Sequence, residues 1–169
     1  MAFVALLTLI RSLVITKLDF CCSVLAGVSG SLMQRLQSVL NAAARLVFSA
    51  RSEHTTPLLR ELHWLKVTER IQYQLCVLAF RCLHGLAPSY LSETLHLSTE
   101  VDTRRRIRSA STSTLVVPST RRSTLGDRAF PVAAARVWNS LPPSVLSTSS
   151  LASFCLHLKT HLFAASFPR

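Results

Sequence analysis

The sequence predicts a mainly α protein, in which a small helical bundle is followed by a basic, partly disordered segment and then by two C-terminal helices. Three observations support this class. Apolar residues recur at steps of three and four through the first half of the chain, as in amphipathic helices. Between residues 98 and 113 they nearly vanish among Ser, Thr and Arg, and helical spacing returns after residue 126. At most a short β element is expected, at 114–117, where a β-prone run ends in Pro118.

These changes in composition predict three regions. They are a helical region at 1–97, a basic linker with the short strand at 98–125, and a helical tail at 126–169. A chain of 169 residues has room for one ordinary domain, since soluble domains run to about 100–150 residues. Hydrophobic residues make up 49% of the chain, and its mean hydropathy is +0.35. Both values are high for a soluble protein, so we expect apolar surface that a partner covers.

In the first region the clearest helix is predicted at 31–49, with one apolar stripe. The members of this stripe are Leu32, Leu36, Val39, Leu40, Ala43, Leu46 and Val47. An apolar helix is expected before it, roughly over 3–25, with an interruption near Lys17. Thr56 and Thr68 are expected to be the N-caps of the next two helices, and Gly85 to lie just past the end of the second.

The tail is predicted to contain one helix that stops at Pro142 and a last helix that is capped by Ser150. The apolar faces of the two helices are expected to consist of Phe130, Ala133, Ala134, Val137 and Trp138 in the first and of Leu151, Phe154, Leu158 and Leu162 in the second. Within the helix before Gly85, Cys76 and Cys82 are predicted to be small buried hydrophobic residues.

The sequence does not predict a catalytic site. Nucleotidyl transfer by two metal ions needs clustered carboxylates, whereas none of the three Asp residues, at 19, 102 and 127, adjoins another acid. The chain has only four Gly and no Gly-rich phosphate loop, and its five Cys form no C-x-x-C pair. We therefore expect no enzyme activity, no metal, no cofactor and no small-molecule substrate.

The apolar start of the chain, MAFVALLTLI, is similar to the core of a signal peptide. However, no basic residue precedes it, and it is shorter than the roughly 20 apolar residues that span a bilayer. The odd number of cysteines is typical of reduced thiols. Together these features predict an intracellular protein of the nucleus or cytoplasm that is not secreted. A signal or membrane role for residues 1–15 remains the alternative.

Charge is the strongest functional signal in the sequence. The net charge is +11, and 16 of the 19 basic residues are Arg, which pairs with phosphate in bidentate geometry. We predict contacts with the RNA or DNA backbone that do not read sequence. The residues predicted to make them are Arg35, Arg45, Arg104, Arg105, Arg106, Arg108, Arg121, Arg122, Arg128 and Arg136. The alternative is a solvated basic loop that binds nothing specific.

Five segments of the sequence together resemble a known protein family. They are LDFCCSVLAG at 18–27, LQSVLNAAARLV at 36–47, TPLLRELHWLKVTERIQYQLCVLAFRCLHGLAPSYLSE at 56–93, GDRAFPVAAARVWNSLP at 126–142 and FCLHLKTHLF at 154–163. In this order, and over nearly the whole chain, they resemble the C-terminal region of LINE-type (non-LTR) retrotransposon reverse transcriptases. Phe20, Cys22, Lys66 and Ala135 stand where Tyr, Asn, Pro and Pro are common in that family.

The resemblance implies a thumb-like bundle in the first region, with helices near 31–49 and 68–84 beside the RNA template and the growing DNA strand. The aspartates of the family's catalytic palm have no counterpart here, so the resemblance implies a non-catalytic C-terminal fragment that ancestrally gripped the primer–template duplex. The palm, or a second copy of the chain, would then be its protein partner. A helical interaction module, or a decayed element product with no nucleic-acid role, is the alternative.

Overall fold

A computed structural model of the chain describes residues 2–20, 22–49, 54–98 and 113–168. These residues confirm the mainly α class. In chain order the helices are α1 (Ala2–Ile10), α2 (Thr16–Phe20), α3 (Gly30–Phe48), α4 (Thr55–Glu61), α5 (Val67–Leu83), α6 (Ser89–Ser92), α7 (Ser123–Gly126), α8 (Phe130–Asn139), α9 (Pro143–Leu146) and α10 (Leu151–Ser166). A π-helical segment, Arg11–Ile15, joins α1 to α2, and a 3₁₀ segment spans Cys22–Leu25.

The β structure of the described residues is one antiparallel bridge between Leu97 and Leu115. This bridge confirms that any β element near 114–117 is short. The amide of Ser98 donates to the carbonyl of Thr114 at 2.9 Å, and the amide of Val116 donates to the carbonyl of His96 at 2.9 Å. The bridge therefore holds together the two points of the chain between which residues 99–112 are inserted.

The chain divides into two compact units. Unit 1 comprises Met1–Ile71 and Thr160–Arg169, and unit 2 comprises Gln72–Lys159. The boundaries fall inside α5 and α10. The division into three regions at residues 97 and 125 stays a prediction from composition.

The N-terminal apolar segment of unit 1 is helical on both sides of its π-helical stretch. The predicted interruption near Lys17 is wrong by about one turn, because Lys17 lies inside α2 and the change in hydrogen bonding comes before it. Helix α1 packs against α3, and the rings of Phe3 and Phe48 lie 6.0 Å apart. This contact joins the start of α1 to the end of α3.

An ion pair joins α2 to the first part of α5. The guanidinium of Arg70 lies 2.7 Å from Asp19, and its Nε donates to the carbonyl of Leu65 at 3.1 Å. Both charged side chains are partly buried, which strengthens their attraction relative to that of a fully solvated pair. The pair thus fixes the end of the N-terminal segment within unit 1.

Helix α3 divides its apolar residues between two faces. The residues of the buried face are Leu40, Ala43, Ala44 and Val47. A second line, which we call the α3 apolar strip, consists of Leu32, Val39 and Leu46, exposed by 39%, 47% and 62%. These three residues are spaced by heptads and extend over about 21 Å at 1.5 Å per residue. The single stripe predicted from the sequence is therefore only partly buried.

The predicted caps of α4 and α5 are both wrong. Helix α4 begins at Thr55 with His54 at its N-cap position, so Thr56 lies inside the helix. Helix α5 begins at Val67, one residue before Thr68. The amide of Val67 donates to the side-chain oxygen of Gln37 in α3, at 2.9 Å. A distant glutamine thus satisfies an N-terminal amide that a local threonine was expected to serve.

Two other helix-terminal signals are confirmed. Gly85 follows α5 with φ +67°, and the amides of Gly85 and Leu86 donate to the carbonyls of Cys82 and Arg81. This is the Schellman pattern, in which glycine avoids the strain of a left-handed residue. At the start of α10, the Ser150 hydroxyl accepts a hydrogen bond from the amide of Ser153 at 3.2 Å. Ser150 is therefore an N-cap.

The core of unit 2 is organised by three aromatic rings. Phe154 of α10 is fully buried and stacks on Phe80 of α5, with ring centroids 4.5 Å apart, and on Trp138 of α8, at 5.6 Å. The ring of His84 also stacks on that of Phe80, with the two ring centroids 3.8 Å apart. The predicted burial of Phe154 and Trp138 is confirmed, and the stack joins three helices of this unit.

Both cysteines of α5 that were expected to be buried are buried. Burial raises the pKa of the Cys76 thiol to about 12. Burial also raises the pKa of Cys82, although a hydrogen bond with Ser92 acts in the opposite direction. Both thiols therefore stay protonated at neutral pH, which makes them poor nucleophiles.

Among the described residues, no helix combines the length and the apolar character that crossing a bilayer requires.

Replacing Phe154 with Ala should lower the free energy of unfolding by about 3–5 kcal/mol, because it removes the central ring of the stack and leaves a cavity. Chemical denaturation monitored by circular dichroism measures this change. Leu125→Ala is the control, because Leu125 is 64% exposed in the same unit and should change stability by about 0.5 kcal/mol or less. Equal losses in the two variants would contradict the central role of Phe154.

Candidate nucleic-acid interface

Six of the ten arginines predicted to bind nucleic acid lie in the described residues, and all six are exposed. Unit 1 carries Arg35 and Arg45, and unit 2 carries Arg121, Arg122, Arg128 and Arg136. The remaining four, Arg104, Arg105, Arg106 and Arg108, lie outside the described residues. Each unit therefore has its own candidate surface.

The two arginines of α3 differ in their surroundings. Arg35 comes three residues after Leu32 and four before Val39, so it lies alongside the α3 apolar strip. Arg45 lies about 160° around the helix from the buried Val47, at 100° per residue, and so faces away from the core. The helix does not bring the two guanidinium groups into one patch. Arg45 is the better placed of the two for a purely polar contact.

In unit 2 the carboxylate of Asp127 is bonded to one of the four arginines and to a threonine. The Thr120 hydroxyl donates to Oδ1 of Asp127 at 2.8 Å, and Arg136 of α8 donates to the same oxygen at 3.1 Å. These bonds close the segment from 120 to 127 on itself and tie it to α8. Arg121 and Arg122 lie inside this closed segment, which we call the arginine loop. Arg128 follows it directly.

The bonds at Asp127 also set the charge of the arginine loop. Hydrogen bonds from Thr120 and Arg136 hold the pKa of the Asp127 carboxyl below its ordinary value of 3.8. Asp127 is therefore ionised at neutral pH and partly neutralises Arg136. Among the described residues no carboxylate pairs with Arg121, Arg122 or Arg128. Their positive charges remain available to an external anion.

Residue 126 must be glycine because the two ends of the arginine loop approach each other closely at this point. A Cβ atom at this position would lie 2.6 Å from Cβ of Thr120, closer than real side-chain contacts allow. The amide of Gly126 also donates to the carbonyl of Arg122 at 2.7 Å. The lack of a side chain thus lets Thr120 reach Asp127.

The segment that leads into the arginine loop is anchored by the last turn of α8. The indole N–H of Trp138 donates to the carbonyl of Ser113 at 2.8 Å. The Asn139 amide accepts from the backbone N–H of Leu115 and donates to its carbonyl, both at 2.8 Å. Asn139 thus supplies the two hydrogen bonds that a neighbouring strand would otherwise provide. Side chains of α8 therefore hold the backbone before the arginine loop, and Arg136 of α8 binds the Asp127 side chain at its end.

The arginine loop is a basic surface on which Arg121, Arg122 and Arg128 are exposed. Exposed guanidinium groups on an anchored loop can donate hydrogen bonds to phosphate oxygens. Among the described residues, no three His, Cys, Asp or Glu side chains come together in an arrangement that could hold a metal ion.

Sequence reasoning missed a second basic cluster, in unit 1. Arg60 and Lys66 lie over the ring of Phe167, at 5.7 Å and 5.4 Å from its centroid. A short-range sequence pattern could not reveal this cluster, because its aromatic member is separated from Arg60 by 107 residues. Only the spacing of Arg60, His63 and Lys66 at every third position gave a local signal.

Unit 1 also contains a pocket of about 400 Å³ beside α3 and the first turns of α4 and α5. Its lining consists of Met33, Gln34, Gln37, Asn41, Thr55, Thr56, Leu59, Lys66, Val67, Thr68 and Glu69. None of the six predicted arginines that the structure describes lines it. Oε2 of Glu69 is buried and accepts no hydrogen bond.

No model of a known family, no curated protein and no solved structure matches the chain.

Replacing Gly126 with Ala should displace Thr120 from Asp127 and lower the free energy of unfolding by about 1–3 kcal/mol, because the added methyl group has no space. Chemical denaturation measures the loss. Gly30→Ala is the matched control, since nothing lies within 4 Å of a Cβ atom there and alanine favours the helix that begins at Gly30. A Gly126→Ala protein as stable as the control would contradict the close contact.

Replacing Asp127 with Asn should destabilise the protein at neutral pH, and the difference should shrink in acid. The folded state lowers the pKa of this carboxyl, so its ionised form stabilises the fold above the ordinary pKa, and that contribution is lost as the pH falls through the lowered pKa. Denaturation at several pH values measures the difference between variant and wild type. The control is Glu93→Gln, which replaces an exposed acid. Its free energy of unfolding should differ little from that of wild type, and this difference should not shrink in acid as that of Asp127→Asn does.

Proposed function

We propose that this chain is the non-catalytic C-terminal region of a LINE-type retrotransposon reverse transcriptase, and that it grips an RNA–DNA primer–template duplex through phosphate contacts. Two lines of support are independent of each other. The five strings from 18–27 to 154–163 resemble that family in order and over nearly the whole chain. The exposed arginines offer the charge that such a grip requires.

The observation that carries the proposal is the exposure of Arg121, Arg122 and Arg128 together with their lack of a described carboxylate partner. All three are exposed on or beside an anchored loop, and no described carboxylate pairs with them. Like charges that lie within eight residues of one another repel, and a polyanion that binds them relieves the repulsion and releases its own counterions. A loop whose only described acid is already bonded to Thr120 and Arg136 favours such a ligand.

The bridge between Leu97 and Leu115 adds to this support. It fixes both ends of the insertion at 99–112, which contains Arg104, Arg105, Arg106 and Arg108. In sequence, the four arginines lie between these two bonded ends. In this proposal both groups contact the same backbone, and the polymerase chemistry belongs to a palm domain outside these residues. The protein acts inside the cell, where its template is found, and is not secreted.

Two charge-removal variants test the proposal. One replaces Arg104, Arg105, Arg106 and Arg108 with Ala, and the other replaces Arg121, Arg122 and Arg128 with Gln. Binding to a labelled RNA–DNA hybrid is measured by fluorescence anisotropy at several salt concentrations. Each lost phosphate contact should reduce the slope of log Kobs against log salt concentration by about 0.9.

The control for these variants replaces Arg11 and Lys17, two exposed basic residues of unit 1, with Gln. It removes charge outside the proposed surface and should leave the slope nearly unchanged. A wild-type protein that does not bind the hybrid at low salt would overturn the proposed function. Slopes that stay unchanged in both arginine variants would remove these residues from the interface.

A second candidate function is favoured by the α3 apolar strip. Leu32, Val39 and Leu46 repeat every seven residues on an exposed face, the spacing with which a helix packs against another helix. In this alternative the chain is an interaction module that associates with a partner chain or with itself. Arg35 would then border a helix–helix contact instead of a phosphate.

Light scattering distinguishes the two functions. The interaction module predicts an oligomer that dissociates when Val39 and Leu46 are both replaced by Gln, together with no binding of the hybrid at low salt. The nucleic-acid proposal predicts that the same variant keeps the salt dependence of wild type, because neither residue is charged.

A further inference from the structure

The end of α4 and the beginning of α5 form a basic–aromatic cluster with the end of the chain. We define this cluster as Arg60, His63, Lys66, Phe163 and Phe167. The rings of Phe163 and Phe167 lie 4.9 Å apart, and the His63 ring lies 5.5 Å from that of Phe163. All five residues belong to unit 1. The cluster is therefore separate from the arginine loop.

The turn after α4 sets the positions of the basic side chains. The amide of His63 donates to the carbonyl of Arg60, and the amide of Trp64 donates to the carbonyl of Leu59. These two bonds form a Schellman motif, with His63 at the left-handed position where glycine is usual, at φ +52°. A non-glycine residue in this conformation is strained. The strained residue turns the chain so that Lys66 lies over the same ring as Arg60.

Phe167 holds the two cations without neutralising them. It is 5% exposed, so its ring is a fixed surface. Arg60 also donates to the carbonyl of Phe167 at 3.5 Å, which uses one of its five N–H groups. Contact with an aromatic face attracts a cation but leaves its charge in place. No carboxylate of the described part of unit 1 forms an ion pair with Arg60 or Lys66.

We infer that Arg60 and Lys66 form a phosphate-binding site on the ring of Phe167. Both cations lie within 6 Å of the same ring centroid, so an anion that binds at this ring is attracted by both charges. A phosphate group fits this arrangement because the guanidinium offers paired donors to two of its oxygens, while the ammonium supplies a compact charge. The ring also restricts both side chains beforehand, which lowers the entropy lost on binding.

The inference goes beyond the proposed function, which uses other arginines. Two sources could supply the phosphate. If the source is the backbone of a bound duplex, the inference rests on the proposed function. The other source is a free phosphate or pyrophosphate ion. The chemistry of recognition is the same for both, and separate arms of one experiment distinguish them.

In the first arm, ¹H–¹⁵N NMR spectra of the full chain are recorded during titration with inorganic phosphate and with pyrophosphate, with sodium chloride at matched ionic strength as reference. We expect amide shifts concentrated at 60–67 and 163–167. The double variant Arg60→Gln, Lys66→Gln should bind at least fivefold more weakly. The charge-matched control Arg11→Gln, Lys17→Gln should bind as wild type does.

In the second arm, the same variants are measured for salt-dependent binding to the RNA–DNA hybrid. A slope reduced by up to about 1.8 in the Arg60, Lys66 double variant assigns the site to the duplex backbone, since two contacts are lost. An unchanged slope together with the phosphate shifts assigns the site to a free phosphate ion. Both outcomes support a phosphate site.

The inference is overturned if the shifts with phosphate equal those with chloride, or if they do not depend on Arg60 and Lys66. Arg60→Lys provides a further check that keeps the charge and the fold but removes the paired donors. It should weaken phosphate binding less than Arg60→Gln does. A melting temperature close to wild type in each variant shows that the loss concerns the ligand and not the fold. Loss of hybrid binding only in the arginine-loop variants, with no phosphate-dependent shifts, would overturn this site and leave the proposed function standing.

Discussion

The structure of unit 2 depends on the burial of Phe154 between Phe80 and Trp138. Removal of these large rings from water supplies the main driving force, and their stacking fixes how α5, α8 and α10 meet. Because Trp138 is held in this stack, its indole N–H is placed to bind Ser113, and the neighbouring Asn139 is placed to bind Leu115. A hydrophobic contact thus positions the polar anchors of an irregular segment. The arginine loop is a continuation of that segment.

Electrostatics in unit 2 shows how one acid can serve structure and still leave a strongly basic surface. Asp127 receives hydrogen bonds from Thr120 and Arg136, so its charge is used inside the protein. Exposed ion pairs of this kind contribute little energy individually, and here the geometric effect of closing a loop is the more important one. The uncompensated arginines beside it remain well hydrated in the free protein. Their mutual repulsion is tolerated because water screens it.

Helix α3 is where the two candidate functions make incompatible demands. A phosphate contact at Arg35 would leave Leu32 and Val39 beside a hydrated backbone, with no gain from burial of their apolar surface. A helix packed on the α3 apolar strip would gain roughly 25 cal/mol for each Å² buried, but would need to accommodate Arg35 at its edge. Arg45, which lies roughly 100–140° around the helix from the residues of the strip at 100° per residue, is compatible with both. The strip therefore separates the two functions more clearly than the net charge does.

Short-range sequence patterns were enough to predict the mainly α class, the position of Gly85 after α5, the Ser150 cap and the burial of Phe154 and Trp138. Each of these features depends on interactions within one or two helical turns, and such interactions can be predicted from the spacing of residues in the sequence. The sequence also indicated which arginines are exposed, because arginine is rarely buried without a partner. Local signals failed at Thr56 and Thr68, where neither threonine occupies the cap position that its local sequence suggested.

Contacts between residues far apart in the chain could not be predicted from short-range patterns and follow from the packing of the helices. Gln37 serves the amide of Val67 from 30 residues away, and Phe167 lies under Arg60 from 107 residues away. The division of α3 into a buried face and an exposed strip could not be predicted either. The periodicity of apolar residues shows that a helix has an apolar face, but it does not show which part of that face another helix covers. Such contacts depend on how helices pack, and packing is set by the fit of whole surfaces and not by the spacing of residues along one helix.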